Sequence, residues 1–191
     1  MSGGHGARLF FAVAVPEAVR RELAAWARRS AGGARVLDPG SLHLTLLFLG
    51  SRAFEEVDEL AGSLARAARS TGACELSLGA PLWLPPRRPR ALAVEVHDAG
   101  AELARLQEAL VRDAGAAEQA PDGRRVRFRP HITVARAGAA PGAQARLPRE
   151  FPVPTPQLTF TAARAVLYRS FLERSGARYE ALAEADIGAA A

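Results

Sequence analysis

The sequence contains no lysine, and all 25 of its basic residues are arginines. It has a single cysteine, Cys74, which excludes an internal disulfide and is typical of a reducing compartment. No apolar run reaches the roughly 18 residues that a membrane-spanning helix needs. The apolar run at residues 10–15 is short and lacks the layout of a signal peptide. We therefore expect an unexported, cytoplasmic protein that does not insert into a membrane.

Several catalytic motifs are also missing. The chain has no Walker-type phosphate loop, no Gly-x-Ser-x-Gly nucleophile elbow and no conspicuous pairing of a cysteine with a histidine. These absences argue against P-loop nucleotide hydrolysis and against serine or cysteine nucleophiles.

The arginines give the chain a net charge of +5 and a sequence pI of about 10.7. A basic balance favours an anionic partner such as a nucleic acid, and the planar guanidinium suits phosphate better than an ammonium group does. The chain is also rich in alanine, glycine and proline, so a compositional bias explains the charge equally well. Both interpretations stay open at this point.

Two four-residue stretches share one pattern: residues 43–46 (HLTL) and 131–134 (HITV). Each lies in a run that is typical of a buried β-strand. Because side chains at i and i+2 project from the same face of a strand, the histidine and threonine of each stretch point together, away from a core. We predict that the two stretches face each other across a groove and act on one phosphate.

A larger repeat surrounds the motifs. A strand, a helix, a loop and a motif strand occur across residues 8–49 and again across residues 90–136. This repeat predicts an α+β domain over residues 7–187, made of two pseudo-symmetric lobes. Largely antiparallel sheets would line a central cleft, and helices would cover their outer faces. Residues 1–6 and 188–191 are expected to be flexible tails.

The spacing of the hydrophobic residues predicts where the helices and strands lie. Helices are predicted to open at Pro16, near residue 54 and after an N-cap at Asp98. Strands are predicted over residues 8–15, 42–49, 74–78, 91–96, 158–162, 165–171 and 178–185. The last two would form a hairpin around residues 175–176.

Two further segments have distinct compositions. Residues 81–89 are rich in proline and arginine, which predicts a surface loop. Arg125, Arg127 and Arg129 alternate with apolar residues, which predicts a strand that leads into the second motif. These arginines could follow an RNA backbone or simply form a solvated face.

Paired histidines suit acid–base chemistry at a phosphodiester. Histidine exists in neutral and charged forms near neutral pH. One histidine could take a proton from the attacking water while the other gives a proton to the leaving oxygen, and each transfer supplies about 10²–10⁴-fold. The hydroxyls of Thr45 and Thr133 could donate hydrogen bonds to the non-bridging oxygens. Two histidines without a neighbouring cysteine or carboxylate fall short of the three protein ligands of a catalytic zinc, so we expect neither a metal nor another cofactor.

The extended motifs resemble those of a known family. Residues 42–50 (LHLTLLFLG) and 129–136 (RPHITVAR) are similar to the two signatures of the 2H phosphoesterase superfamily, and in particular to RNA 2′,3′-cyclic phosphodiesterases of the LigT/ThpR type. Residues 8–13 (RLFFAV), 166–170 (VLYRS) and 175–179 (SGARY) extend the similarity over most of the chain.

The resemblance implies the bilobal 2H phosphoesterase fold and hydrolysis of an RNA 2′,3′-cyclic phosphate to a 2′-phosphomonoester. It implies that His43 is the general acid on O3′, that His131 is the general base, and that Thr45, Thr133 and Arg136 hold the phosphate. Some members also join RNA ends through a 2′–5′ bond, and a module that binds RNA ends without turnover is a third possibility. We expect a monomer whose partners are RNA ends with a cyclic phosphate, tRNA fragments among them.

Position 47 departs from the family pattern, because Leu47 stands where many members carry a lysine.

Other residues have competing interpretations. Phe10, Arg129 and Tyr168 are candidates for contacts with RNA or its bases, although packing alone explains the two aromatic residues. By strand alternation Phe48 is expected on the core side, opposite His43.

Overall fold

The structure is a computed structural model that describes residues 6–115, 127–138, 147–148, 150–173 and 176–188. Within these residues there are nine strands: β1 Ala7–Ala14, β2 Arg35–Val36, β3 His43–Arg52, β4 Glu75–Leu84, β5 Ala91–Asp98, β6 His131–Arg136, β7 Thr159–Thr161, β8 Arg164–Glu173 and β9 Gly176–Asp186. They form one antiparallel sheet in the order β7-β4-β5-β6-β3-β1-β8-β9, and β2 pairs with β6.

Three helices pack on one face of the sheet: α1 Glu17–Ser30, α2 Val57–Arg69 and α3 Glu102–Asp113. Their apolar stripes and the alternate strand residues form one continuous core, in which Trp26, Leu64 and Leu106 are fully buried. The other face of the sheet is left for a cleft. No helix in the described part of the chain is long and apolar enough to span a membrane.

The two predicted halves meet at the centre of the sheet. β1-α1-β3 and β5-α3-β6 repeat the same order, and the two motif strands β3 and β6 lie side by side through the pair Leu44 and Ile132. The α+β fold with two halves around a cleft is thus confirmed, and the two halves share one continuous sheet.

Each motif strand contains a β-bulge after its threonine. On β3, Ala12 pairs with Thr45 but Phe11 pairs with Leu47, so Leu46 is an extra residue. On β6, Ala93 pairs with Thr133 but Leu92 pairs with Ala135 in the same way. Because a bulge shifts the alternation by one residue, the fifth residue after each histidine returns to the cleft face.

Two predictions about segments need correction. Residues 81–84 are the second part of β4, so the predicted surface loop begins later. Pro81 pairs with Val94 directly after a register shift, a kind of position at which a sheet tolerates proline. Residues 127–130 are not in a strand, whereas Arg125 lies outside the described residues.

The start of α3 differs slightly from its prediction. The helix begins at Glu102, but the Asp98 carboxylate still caps it, because it accepts a hydrogen bond of 2.6 Å from the backbone N–H of Leu103.

Candidate active site

A cleft of about 520 Å³ lies on the open face of the sheet, above the seam between β3 and β6. His43, Thr45, His131 and Thr133 all line it, so the structure brings together the four residues that the sequence singles out. Continuing the antiparallel register from Leu44 and Ile132 sets His43 opposite Thr133, and Thr45 opposite His131. This register places the histidine of each motif at the level of the threonine of the other.

Both imidazole rings are oriented by the same kind of hydrogen bond, from Nδ1 to a backbone carbonyl oxygen. Nδ1 of His43 lies 2.8 Å from the carbonyl oxygen of Ser41, and Nδ1 of His131 lies 2.7 Å from that of Arg129. Since a carbonyl oxygen can only accept, each Nδ1 carries a proton and donates it. Nε2 of each ring is left to exchange a proton with a ligand in the cleft.

The carbonyl that orients His43 belongs to a tight 3₁₀ turn, Pro39–Ser41. The Asp38 carboxylate caps this turn by accepting a hydrogen bond of 2.7 Å from Gly40 N, and the Ser41 hydroxyl donates to the Asp38 carbonyl at 2.8 Å. The turn fixes the position of the Ser41 carbonyl and, through it, the ring of His43.

The carbonyl that orients His131 is held in a different way. Arg129 lies in the irregular segment 127–130, and its guanidinium donates to the carboxylate of Glu95 on β5, with Nε 3.1 Å from Oε1. Glu95 is also the ladder partner of His131. The ion pair thus fastens Arg129 to the sheet, while its side chain lies outside the lining of the cleft.

Arg136 lines the cleft and is exposed. Strand alternation alone would turn it away from His131, because the two positions differ in parity. The bulge after Thr133 brings it back to the cleft face. Arg8 and Arg90 line the same cleft, and among its described lining residues there is no carboxylate.

The electrostatic environment of His43 is strongly perturbed. Burial from solvent lowers the pKa of His43 from 6.5 to about 4; the charges of Arg136 and His131 also lower it, and the hydrogen bond to the Ser41 carbonyl opposes them. At neutral pH, His43 is therefore uncharged.

Aromatic rings surround His43. Phe10 lies with its ring centroid 4.9 Å from that of His43, and Tyr179 meets His43 edge-on at 4.9 Å and 85°. Phe10 is 3% exposed and forms part of the cleft wall. Tyr168 stacks against Phe10 at 5.3 Å and is half-buried behind it.

Tyr179 is a site residue that sequence reasoning missed. It is far from both motifs along the chain and comes to the cleft because β9 pairs with β8 at the edge of the curled sheet. Burial raises the pKa of the Tyr179 phenol, so the hydroxyl stays protonated and can donate. The signal that could have identified it is its position in residues 175–179, which resemble the family pattern.

The bulge in β3 reverses the expectation for Phe48. Phe48, predicted in the core, lines the cleft and is 54% exposed. Leu47 is 1% exposed and belongs to the core, so at this position the chain packs an apolar side chain behind the cleft. Parity fails here because two consecutive residues, Leu46 and Leu47, both face the core.

Solved structures of other proteins share this architecture. The protein TT0787 of Thermus thermophilus is 30% identical, with a TM-score of 0.76 over 95% of this chain and 98% of that chain. Escherichia coli LigT, solved with 3′-AMP, has a TM-score of 0.77 at 22% identity, covering 95% of this chain and 98% of its own. LigT solved with phosphate has a TM-score of 0.74 at 24% identity, covering 96% and 98%. At these lower identities the similarity to LigT shows a common fold.

No curated protein sequence matches the chain significantly. The family model of the 2′-5′ RNA ligase superfamily matches residues 15–171. These residues include both histidine motifs and most of the sheet. The fold, the repeat and the paired motifs agree with that match. The chain belongs to the 2′-5′ RNA ligase superfamily, whose members are the 2H phosphoesterases.

Proposed function

We propose that this protein hydrolyses RNA ends that carry a 2′,3′-cyclic phosphate and releases a 2′-phosphomonoester. The observation that supports this most directly is the pair of histidines on one cleft, each with Nδ1 bound to a backbone carbonyl and Nε2 left for the substrate. Membership of a superfamily of phosphoesterases and RNA ligases agrees with this reaction class.

In the proposed step, a water oxygen attacks phosphorus and the bond from phosphorus to O3′ breaks. His131 accepts a proton from the water, and His43 donates a proton to O3′, so the 3′-hydroxyl leaves neutral. The hydroxyls of Thr45 and Thr133 donate to the non-bridging oxygens, and Arg136 balances the charge that grows on them.

The acid role of His43 requires that it gain a proton when the substrate binds, because burial lowers its pKa to about 4. The negative charge of the bound phosphodiester favours the protonated ring and supplies a physical reason for this gain. The same low pKa makes the reverse assignment a second candidate, with His43 as the base and His131 as the acid.

A substrate with a leaving group that departs without a proton separates the two assignments. We expect the variant that lacks the general acid to recover activity on a nucleoside 2′- or 3′-(4-nitrophenyl phosphate), whereas the variant that lacks the general base stays inactive. Rescue of H43A supports the acid role of His43. Rescue of H131A instead overturns it in favour of the reverse assignment.

The reaction itself is tested on an oligoribonucleotide with a 2′,3′-cyclic phosphate end, in EDTA. We expect H43A and H131A each to lose about 10²–10⁴-fold in kcat. H97A is the matched control, since His97 is exposed and lies outside the lining of the cleft. Full activity of either motif variant would exclude the two-histidine mechanism, and loss of wild-type activity in EDTA would point to a metal.

Ligation is an alternative reaction at the same site, favoured by the name of the superfamily. A 5′-hydroxyl in place of water would attack the cyclic phosphate, release O3′ and leave a 2′–5′ bond. Adding an RNA with a 5′-hydroxyl end to the assay and separating the products by length measures the share of each reaction. Tight binding of the RNA end without any product would indicate a binding module.

A further inference from the structure

A row of polar side chains crosses three strands, β1, β8 and β9, beside the histidines. Arg8 on β1 is the ladder partner of Ser51 on β3 and of Ser170 on β8, and Ser170 is the partner of Tyr179 on β9. Partners across an antiparallel ladder project from the same face of the sheet. Arg8, Ser170 and Tyr179 accordingly all line the cleft, and we call these three residues the Arg8 row.

All three side chains of the Arg8 row can donate hydrogen bonds. Among the described residues, none of them forms an ion pair or a side-chain hydrogen bond. By contrast, Arg164 on the same strand as Ser170 is paired with Glu184 at 2.8 Å, and Arg178 next to Tyr179 is paired with Glu173 at 2.9 Å. A guanidinium flanked by hydroxyls, with no carboxylate in the described cleft lining, is suited to an anion.

The row borders the reacting centre without belonging to it. Tyr179 meets His43 edge-on at 4.9 Å, so the row begins at the first histidine. Phe48, 54% exposed, lines the same part of the cleft and offers a flat surface beside the row. The hydrolytic step described above uses none of the three residues of the row.

The charge of the cleft exceeds what one cyclic phosphate balances. A 2′,3′-cyclic phosphate carries a single negative charge, and Arg136 already faces it in the proposed mechanism. Arg8 and Arg90 add two further positive charges to the cleft. The excess fits a ligand with additional phosphates.

We propose that the Arg8 row is a second phosphate subsite, which binds the phosphodiester that joins the terminal nucleotide to the nucleotide before it. This inference rests on the proposed function and deepens it. The substrate is then an RNA strand of at least two nucleotides, and a cyclic mononucleotide lacks the group that the row binds.

The test compares kcat/KM for adenosine 2′,3′-cyclic phosphate with kcat/KM for a dinucleotide, ApA, that ends in the same cyclic phosphate. We expect R8Q to lower kcat/KM for the dinucleotide by about 10- to 100-fold, as the loss of one charge-assisted contact predicts. The value for the mononucleotide is expected to stay unchanged. S170A is a milder second variant, for the case that R8Q folds poorly, and R28Q, an exposed helix arginine, is the matched control.

An equal loss on both substrates, or no loss in R8Q and S170A, overturns the second subsite. If the wild type hydrolyses neither substrate, the proposed function fails, and the subsite is then judged by binding alone. In that case titrations with 3′-AMP and with ApA 3′-phosphate are expected to show tighter binding of the dinucleotide in the wild type. Loss of that difference in R8Q supports the subsite, and equal affinities in the wild type overturn it.

Discussion

His43 and His131 carry the same four-residue pattern, but their surroundings differ. Aromatic rings pack around His43, whereas His131 stands beside the ion pair of Glu95 and Arg129. Unequal environments are what separates the protonation states of two identical groups. In the proposed mechanism, the division of work between the two histidines therefore depends on their neighbours.

The lowered pKa of His43 makes a prediction about stability. The ring has a pKa of about 4 in the folded protein and about 6.5 when unfolded, so between these values the unfolded chain binds more protons. The free energy of unfolding is therefore unaffected by this group above about pH 6.5. It decreases as the pH falls towards 4, by an amount on the order of 1–3 kcal/mol.

Urea unfolding of the wild type and of H43Q at several pH values between 4 and 7 measures this contribution. We expect H43Q to lose less of its free energy of unfolding over that range than the wild type, while H97Q keeps the wild-type slope. Parallel curves for H43Q and the wild type would contradict the burial of a neutral His43.

At the scale of the elements, the carbonyl groups that orient the two motif histidines are held in place by different structures. Ser41 lies in a capped 3₁₀ turn, whereas Arg129 lies in an irregular segment. That segment is tied to β5 by the ion pair between Arg129 and Glu95 and by a backbone hydrogen bond of 3.0 Å from the Val96 N–H to the Pro130 carbonyl. The ion pair is therefore the side-chain part of the support of His131.

We expect E95Q to lower kcat by about 10- to 100-fold with little change in KM, because a small displacement of a proton-transferring group is costly in rate. The carboxylate lies outside the lining of the cleft, and E95Q removes both the ion pair that holds Arg129 and a negative charge beside His131. The double variant E95R/R129E, which restores an ion pair of opposite polarity, is expected to recover part of the loss. Absence of any recovery, or a rise in KM alone, would argue against a positioning role.

The β-bulges are the feature of these elements that decides the lining of the cleft. Both follow the threonine of a motif, and both return the fifth residue after the histidine to the cleft: Phe48 in one half and Arg136 in the other. The two halves thus present an aromatic ring and a guanidinium at equivalent places.

For the whole molecule, the charge distribution predicts a strong dependence on salt. The net charge is +5, and the cleft has three arginines without a carboxylate among its described lining residues. If two phosphates of a single strand are neutralised, log(kcat/KM) should fall with log[salt] with a slope of about −1.4.

Initial rates on a cyclic-phosphate RNA between 50 and 500 mM NaCl measure this slope, with sucrose at equal osmolarity as the control. A slope near zero would mean that the arginines of the cleft do not contact the RNA backbone. The test concerns the cleft as a whole and does not depend on which histidine is the acid.

The sequence determined the parts of this protein that depend on local pattern. Alternation within residues 43–46 and 131–134 sets each histidine and threonine on one strand face, and the repeated order of strand, helix and motif strand sets the two halves. Such periodicities follow from the geometry of strands and helices, so they can be recognised without knowledge of distant contacts.

Only the tertiary structure decided which further side chains reach the cleft. Phe48 and Leu47 exchange faces because of a bulge, which depends on the register between β1 and β3. Tyr179 meets His43 because strands distant in sequence lie together in one curled sheet, and Glu95 on β5 meets Arg129 in the segment that leads into β6. Register and curvature arise from pairing between strands, and no single strand's pattern contains them.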